Sequence, residues 1–270
     1  MPSTDVELRP QVYKDPRPKE YFDPFHARTR AGPPGPAYEV ARIATVVHAL
    51  ITYRARAFGT EYVPNGPVIL APNHASFMDH FFTGAFIRRR VQFMAKSQLF
   101  GGRAQTWLFT HGGVFPVRRG YHDEDAFTTS FTILGRGGVV VMYCEGGRSR
   151  TGKIADEARP GIGRLALEAG APVVPVAILG SHQVRNWKRL RFPQVTVQFG
   201  APLKFAAIEN STREQQQQAA DLILGRIREL HSELGRIGRK GAARVARERL
   251  RAARGREGAA ATSRRARPMP

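Results

Sequence analysis

The sequence predicts an α/β fold, a sandwich in which a mostly parallel central sheet is flanked by helices. Short β-rich runs alternate with helical patterns along the chain, which favours parallel strands joined by crossover helices. The run 139–142 is apolar at every position, as expected for a strand that is covered on both faces. Ligands of such sheets bind beyond the carboxyl ends of the strands, so polar residues that follow these runs form the candidate site.

Each predicted element rests on its residue pattern. The predicted strands are rich in β-branched and other apolar residues, and they span 67–71, 91–95, 113–117, 139–143, 173–178 and 195–199. The predicted helices repeat apolar residues every three or four positions, and they span 77–88, 123–134, 162–169 and 214–234. Pro175 cannot donate a backbone hydrogen bond, so it predicts an edge strand or a bulge in the run 173–178.

The composition narrows the classes of function. The chain has 270 residues, of which 42% are hydrophobic, and this is enough for one large domain with a buried core. Its apolar stretches are far shorter than the roughly 18–20 residues of a membrane span, which excludes a polytopic membrane protein. The single cysteine, Cys144, excludes intramolecular disulfides and multi-cysteine zinc sites. The net charge of +20 favours polyanionic partners, namely anionic lipid, nucleic acid or phosphorylated small molecules.

Composition also divides the chain into three regions. Residues 1–36 hold eight of the 19 prolines and show no apolar periodicity, so we expect an irregular arm there. Residues 37–234 carry the alternating elements and form the predicted domain. Residues 235–270 contain twelve Arg or Lys and two Glu, a net charge of +10. They predict a solvated tail, or a helix that becomes ordered only against an anionic surface.

A predicted helix within 37–58 precedes the sheet. Its apolar positions share one side, and Arg42, Arg54 and Arg56 border that side. The apolar positions are Val40, Ile43, Val46, Val47, Leu50 and Ile51. Two interpretations remain open: an ordinary packing helix, or an interfacial helix with its apolar side in lipid and its arginines at the headgroups.

The first candidate motif follows the run 67–71 and contains His74 and Asp79. If His74 lies in a loop and a helix begins near Ser76, Asp79 in the first turn can reach back to the imidazole. The carboxylate would then fix the tautomer of the ring, whose other nitrogen would accept a proton from a substrate hydroxyl. The alternative is a purely structural capping box formed by Ser76 and Asp79.

The second candidate motif follows the run 139–143 and comprises Glu145, Gly146, Gly147, Arg148 and Ser149. Two glycines after a strand allow backbone N–H groups to approach an anion, and an arginine fork can bind phosphate. The stretch from Gly147 to Lys153 matches most of a nucleotide P-loop. That interpretation is rejected because residue 154 is Ile rather than the Ser or Thr that binds Mg²⁺.

Taken in order, these blocks resemble the glycerolipid acyltransferase family, specifically the 1-acylglycerol-3-phosphate acyltransferases. The family signature has a His and an Asp separated by four residues, a block ending in Arg after Phe, an E-G-x-R-S block and a proline-bearing apolar strand. The matching segments are 73–79, 113–118, 145–149 and 174–176, within a resemblance that spans about 62–199. Cys144 and Gly147 depart from the Pro and Thr that are common in the family.

The resemblance implies a role for each matching residue. His74 would be the general base on the acceptor hydroxyl, and Asp79 would orient it. The glycerol phosphate would be held by Glu145, Gly146, Gly147 and Arg148, with help from Arg118 and from Lys96, which follows the second predicted strand. A backbone N–H near 146–148 would stabilise the tetrahedral oxyanion.

The resemblance also implies substrates and a location. The acyl donor would be acyl-CoA or acyl carrier protein, the acceptor would be lysophosphatidic acid, and no metal or other cofactor is implied. The enzyme would act as a peripheral protein on an anionic membrane surface, at the cytoplasmic face of the cell membrane and without a transmembrane helix.

Two alternative functions remain open. The same chemistry could act on another lysophospholipid or on a glycolipid. A non-catalytic polyanion-binding protein could instead use the basic tail. Nucleic acid is not an expected partner, because the chain shows no recognisable nucleic-acid module and the tail has no aromatic residues for base stacking.

Overall fold

The chain is described here by a computed structural model covering residues 14–149, 152–183 and 192–265, with side chains described as far as 252. A seven-stranded sheet lies at the centre of this part of the chain, in the order β1-β7-β6-β2-β5-β3-β4. The strands are β1 (Arg56–Phe58), β2 (Val68–Pro72), β3 (Val91–Lys96), β4 (Val114–Val117), β5 (Val139–Val141), β6 (Val173–Leu179) and β7 (Thr196–Phe199). All neighbours are parallel except β6 and β7.

Helices cover both faces of the sheet. They are α1 (Asp23–Ala31), α2 (Pro36–Thr52), α3 (Asp79–Ala85), α4 (Arg103–His111), α5 (Glu124–Gly135), α6 (Gly161–Ala169) and α7 (Arg213–Arg265). Because side chains alternate along a strand, Leu70 packs in one core with Phe82 of α3, whereas Ile69 packs in the opposite core with Ile162 of α6 and Ile223 of α7. This two-sided burial explains the continuous apolar runs, and the α/β prediction is confirmed.

Two parts of the sheet differ from the sequence-based expectation. The predicted helix 37–58 stops at Thr52, because Arg54 adopts a φ of 44°, and the chain then continues into β1. Pro175 lies in an interior strand rather than at an edge. The Pro175 carbonyl accepts a hydrogen bond from the Gly200 amide, just beyond the Val176–Phe199 pair. The backbone polar positions of Pro175 therefore face β7 and not β2. The missing N–H therefore leaves the pairing with β2 intact.

Helix α2 packs against the domain through only one side. Tyr38 and Ala49 are buried, and the Tyr38 hydroxyl accepts a hydrogen bond from the Val91 amide. Five of the six predicted apolar positions are exposed, including Val40 at 70% and Ile51 at 74%. In the described ranges, no helix combines the length and apolarity needed to cross a membrane.

The prediction of an irregular N-terminal arm is wrong for residues 14–36. A short 3-10 helix (Lys19–Phe22) leads into α1, and Pro24 occupies the first turn, where its missing N–H costs nothing. Phe22 is buried against Phe100, which anchors the segment to the domain. Residues 1–13 of the predicted arm lie outside the described residues.

The expectation of a solvated or surface-ordered tail is also wrong for the beginning of the tail. Gly238, with a φ of 61°, interrupts α7 and starts a second helical segment. Arg239 donates hydrogen bonds to the Arg54 and Val195 carbonyls, and Ala242 is buried against Ala177. The beginning of this segment is therefore docked on the domain, whereas residues 247–252 are exposed. Residues 266–270 lie outside the described part.

Candidate active site

His74 and Asp79 meet where β2 gives way to α3. β2 ends at Pro72, His74 lies in the following loop, and Asp79 is the first residue of α3. His74 Nδ1 lies 3.0 Å from Asp79 Oδ2, and both side chains are buried. The same oxygen accepts backbone hydrogen bonds from Ala75 and Ser76, both at 2.7 Å. One carboxylate oxygen thus holds the loop and contacts the imidazole.

The carboxylate determines the tautomer of His74. A carboxylate only accepts hydrogen bonds, so Nδ1 carries the proton and Nε2 keeps its lone pair. Burial lowers the pKa of His74 from its usual 6.5, and the Asp79 hydrogen bond opposes this shift. The positive charges of Arg148 and Arg119 lower the pKa further. The imidazole is therefore neutral at physiological pH and can accept a proton through Nε2.

The ring of His74 is also held by its neighbours. It stacks on Tyr143 with a centroid separation of 4.0 Å, and the His80 ring lies edge-on to it at 5.3 Å. Asn73 ties the loop to β6, because its side chain both donates to and accepts from the Ile178 backbone. These contacts restrict the orientation of the imidazole.

Glu145 reaches the site, but it binds backbone rather than facing an anion. One carboxylate oxygen accepts the His74 amide at 2.6 Å, and the other accepts the Ala155 amide at 3.0 Å. Burial raises the pKa of Glu145, and these backbone hydrogen bonds oppose that shift. In the structure Glu145 positions the His74 loop, and its role in holding the glycerol phosphate stays a prediction.

Arg119 and Arg148 lie close enough to His74 for their charges to act on it, and Lys96 lies close to the same two arginines. Lys96 ends β3, Arg119 follows β4 and donates to the Gly146 carbonyl at 2.5 Å, and Arg148 follows β5. Burial lowers the pKa of the Lys96 ammonium, and the charges of Arg148 and Arg119 lower it further. We call Lys96, Arg119 and Arg148 the cation cluster. Like charges held together in this way are typical of an anion site.

Arg118 does not join the cation cluster. Its guanidinium donates to the Arg17 carbonyl at 3.1 Å and lies 4.3 Å from the centroid of the Tyr121 ring. Its backbone amide donates to Asp123 Oδ2, which fixes the turn after β4. The side chain of Arg118 is therefore directed towards the N-terminal segment, and its role at the phosphate stays a prediction. The neighbouring Arg119, which the sequence analysis did not single out, contacts Gly146 instead.

Gly146 has the conformation that its position requires. Its φ is 67°, and a Cβ there would lie 2.7 Å from Arg159 Cγ, so a side chain would be both strained and crowded. The turn leads to Gly147 and Arg148, and the Ser149 amide donates to the His74 carbonyl at 2.8 Å. The glycine block and the histidine loop are thus directly connected.

An apolar cavity of about 220 Å³ adjoins the histidine. Its lining includes Tyr38 of α2, His80 and Phe81 of α3, Phe93 of β3, Leu108 of α4 and Val114 of β4. Since His80 also contacts the ring of His74, the cavity begins next to the proposed base. The site therefore combines a base, a cation cluster and apolar space. Within the described ranges, no group of three or more His, Cys, Asp or Glu residues could hold a metal ion.

This arrangement defines the class of the site: a histidine–carboxylate pair that can activate a hydroxyl on a molecule with an anionic head and an apolar part. Residues 54–179 match the model of the Acyltransferase family, and this range contains every residue of the cation cluster and the histidine–carboxylate pair. The resemblance indicated by the motifs is thereby confirmed.

One similar protein and one similar structure extend this finding. The chain is 24% identical over 149 residues to "1-acyl-sn-glycerol-3-phosphate acyltransferase BAT2, chloroplastic" from Brassica napus; the match covers 54% of this chain and 43% of the relative. The chain thus spans less than half the length of that relative. The LPA acyltransferase PlsC from Thermotoga maritima has a similar fold, with a TM-score of 0.52 and 20% identity over 78% of this chain and 88% of PlsC.

Proposed function

We propose that this protein transfers a fatty acyl group from an acyl thioester to the free hydroxyl of 1-acylglycerol-3-phosphate, giving phosphatidic acid. The observation that carries the proposal is the neutral, carboxylate-bound His74 between the cation cluster and the apolar cavity. The similarity to acylglycerol-phosphate acyltransferases supports the same substrate class. The donor is acyl-CoA or acyl carrier protein, and the proposed reaction needs no further cofactor.

The proposed reaction proceeds by direct attack. His74 Nε2 accepts the hydroxyl proton as the acceptor oxygen bonds to the thioester carbonyl carbon. Asp79 stabilises the imidazolium that forms. A backbone N–H near Gly146 or Gly147 stabilises the tetrahedral oxyanion. The carbon–sulfur bond then breaks, and the leaving thiolate takes the proton from His74, so the base is restored without an acyl-enzyme.

The cation cluster supports a phosphorylated acceptor. A phosphate monoester carries up to two negative charges near neutral pH, and Lys96, Arg119 and Arg148 supply three positive ones beside the base. An arginine fork can contact two phosphate oxygens, which fixes orientation as well as affinity. The acceptor hydroxyl would thereby be directed towards Nε2.

We also propose that the protein works at an anionic membrane surface, on its cytoplasmic face. Helix α2, which exposes its apolar side, also supplies Tyr38 to the cavity lining. Two further aromatic residues are exposed: Phe77, just before α3, and Trp107, on α4. Helix α4 also borders the cavity. An apolar surface beside a lipid-sized cavity suits an interfacial helix. Acyl chains could then enter the cavity directly from the bilayer.

A thiol-release assay tests this function. Purified protein is mixed with a long-chain acyl-CoA, or with acyl carrier protein, and each of several detergent-dispersed acceptors. We expect thiol release with lysophosphatidic acid and little with lysophosphatidylcholine or a glycolipid, whose head groups do not present a phosphate monoester. The His74→Ala variant controls for donor hydrolysis. Faster release with a different acceptor would replace the proposed substrate, and no release with any acceptor would reject the acyltransferase assignment.

A further inference from the structure

The N-terminal segment 14–22 contacts the two turns next to Lys96 and Arg119, which are two of the three residues of the cation cluster. Lys96 and Val117 are partners in the pairing of β3 with β4, so the turns that follow these strands are neighbours. The first turn begins at Ser97 and the second at Arg118. The first turn directly follows Lys96, and the second contains Arg119. We call the segment 14–22 the N-terminal strap.

Arg17 joins the strap to the first of these turns. Its guanidinium donates four hydrogen bonds: to Asp15 Oδ1 at 2.9 Å, Asp15 Oδ2 at 2.7 Å, the Phe100 carbonyl at 2.6 Å and the Ser97 carbonyl at 2.7 Å. Asp15 is 1% exposed, and its bond to Arg17 holds its pKa well below the usual value. Four of the five N–H donors of the guanidinium are thus used, and two of them fix both ends of the turn that follows Lys96.

Backbone groups of the strap hold the second turn. The Arg17 carbonyl accepts a hydrogen bond from Arg118, and the Asp15 carbonyl accepts one from the Tyr121 hydroxyl at 3.3 Å. Arg118 directly precedes Arg119 and Tyr121 follows two residues later, so the chain is tied to the strap on both sides of this cation. The strap thereby draws Arg118 away from the anion site and leaves Arg119 directed at the Gly146 carbonyl.

We propose that Asp15 and Arg17 are positioning residues of the anion site: they hold the Lys96 and Arg119 turns in the arrangement that binds the phosphate of the acceptor. The like charges of the cluster repel one another, so their arrangement depends on the turns that carry them. A fixed scaffold supplies this arrangement before substrate arrives, and misplacing charged ligands weakens binding. The identity of the acceptor rests on the proposed function, whereas the anion binding does not.

The test measures binding of sn-glycerol 3-phosphate by calorimetry, because this probe presents the phosphate without needing turnover. Arg17→Gln removes the fork and one positive charge outside the cluster. Arg28→Gln is the matched control, because this variant loses the same charge at an exposed position of α1. We expect Arg17→Gln to weaken binding by about tenfold, and Arg28→Gln to change it by less than about twofold at equal ionic strength.

Kinetics then separate positioning from general stability. Arg17→Gln should raise KM for the phosphorylated acceptor and leave KM for the acyl donor unchanged. If Arg17→Gln does not fold, the milder variants Arg17→Lys and Asp15→Asn are measured instead. Unchanged glycerol 3-phosphate affinity in folded variants, or equal effects on both KM values, would overturn the proposal. Failure of the wild type to bind the probe would also overturn it. Binding without thiol release would instead reject the proposed function and leave the strap's role standing.

Discussion

Replacing Asp79 with asparagine tests whether the carboxylate does more than hold the loop. Asp79 Oδ2 accepts hydrogen bonds from His74, Ala75 and Ser76, whereas the buried Oδ1 has no partner among the described residues. The amide oxygen of asparagine can take the Oδ2 position and keep all three bonds. Its NH₂ group then occupies the Oδ1 position without an acceptor. The geometry and tautomer of His74 should therefore survive in Asp79→Asn.

The structure gives two separate magnitudes for this variant. An unsatisfied buried donor should cost about 1–3 kcal/mol of unfolding free energy, which lowers Tm by several degrees. A hydrogen bond to a charged group is worth about 1–2 kcal/mol more than one to a neutral group. In Asp79→Asn the imidazolium keeps its hydrogen bond but loses the charge on the acceptor, so turnover should slow by roughly 5- to 30-fold. His74→Ala removes the base itself and should cost about 10²–10⁴-fold.

Thiol release at saturating donor and acceptor measures both variants, and thermal unfolding checks that they are folded. The expected order of turnover is wild type, then Asp79→Asn, then His74→Ala. Wild-type turnover in either variant would refute the relay. Equal losses in the two would show that the backbone donors do not hold the amide in place, and would refute the argument from geometry.

Three other predictions concern charge. Arg148→Lys should raise KM for the acceptor with little change for the donor, because an ammonium lacks the fork; equal effects on both substrates would make Arg148 structural. The acid limb of kcat/KM should have a midpoint below 6.5, since burial lowers the pKa of His74 and only its neutral form is a base; Arg119→Gln should move this midpoint to higher pH. Changing the exposed residues Lys240, Arg244, Arg247 and Arg251 to Gln should weaken binding to anionic vesicles but leave binding to neutral vesicles and turnover on detergent-dispersed acceptor unchanged. The control is a charge-conserving variant in which the three arginines are changed to Lys. High salt should remove the difference in vesicle binding between wild type and the Gln variant. Loss of turnover on detergent-dispersed acceptor, or tighter binding to RNA than to anionic vesicles, would contradict a membrane role for these residues.

Deleting the basic tail would test its charge less specifically than these substitutions. Deleting residues 235–270 would also remove Arg239 and Ala242, which contact the domain. Loss of activity would then report damage to the fold as well as loss of charge. Substituting residues on the exposed side of the helix avoids this ambiguity, because their side chains face solvent.

The sequence predicts the sheet well because burial on both faces leaves a strong signal. The apolar runs that became β2, β5 and β6 lie in the middle of the sheet and pack against helices on each side. β1 has only three residues and begins with Arg56, so its pattern is too short to separate from the preceding helix. Its position depends on parallel pairing with β7, a contact distant in sequence.

The candidate site is predictable only as far as local spacing determines it. The loop and first helical turn bring His74 and Asp79 together within a few residues, so their meeting was foreseeable. Which of Arg118 and Arg119 faces the anion site depends on Asp123 and on the distant N-terminal strap. The contacts of Glu145 with two backbone amides likewise depend on how separate loops meet.

The structure shows Asp79 in contact with both the backbone of its loop and the imidazole, while its role in catalysis stays a prediction. Oδ2 accepts the Ala75 and Ser76 amides, as a structural cap would, and it also contacts His74 Nδ1. These roles depend on each other, because the backbone donors fix the oxygen that orients the imidazole. Glu145 acts in the same way from the other side, by accepting the His74 amide. The histidine is therefore held at its backbone and at its ring by two carboxylates, and the cation cluster lies beside this loop.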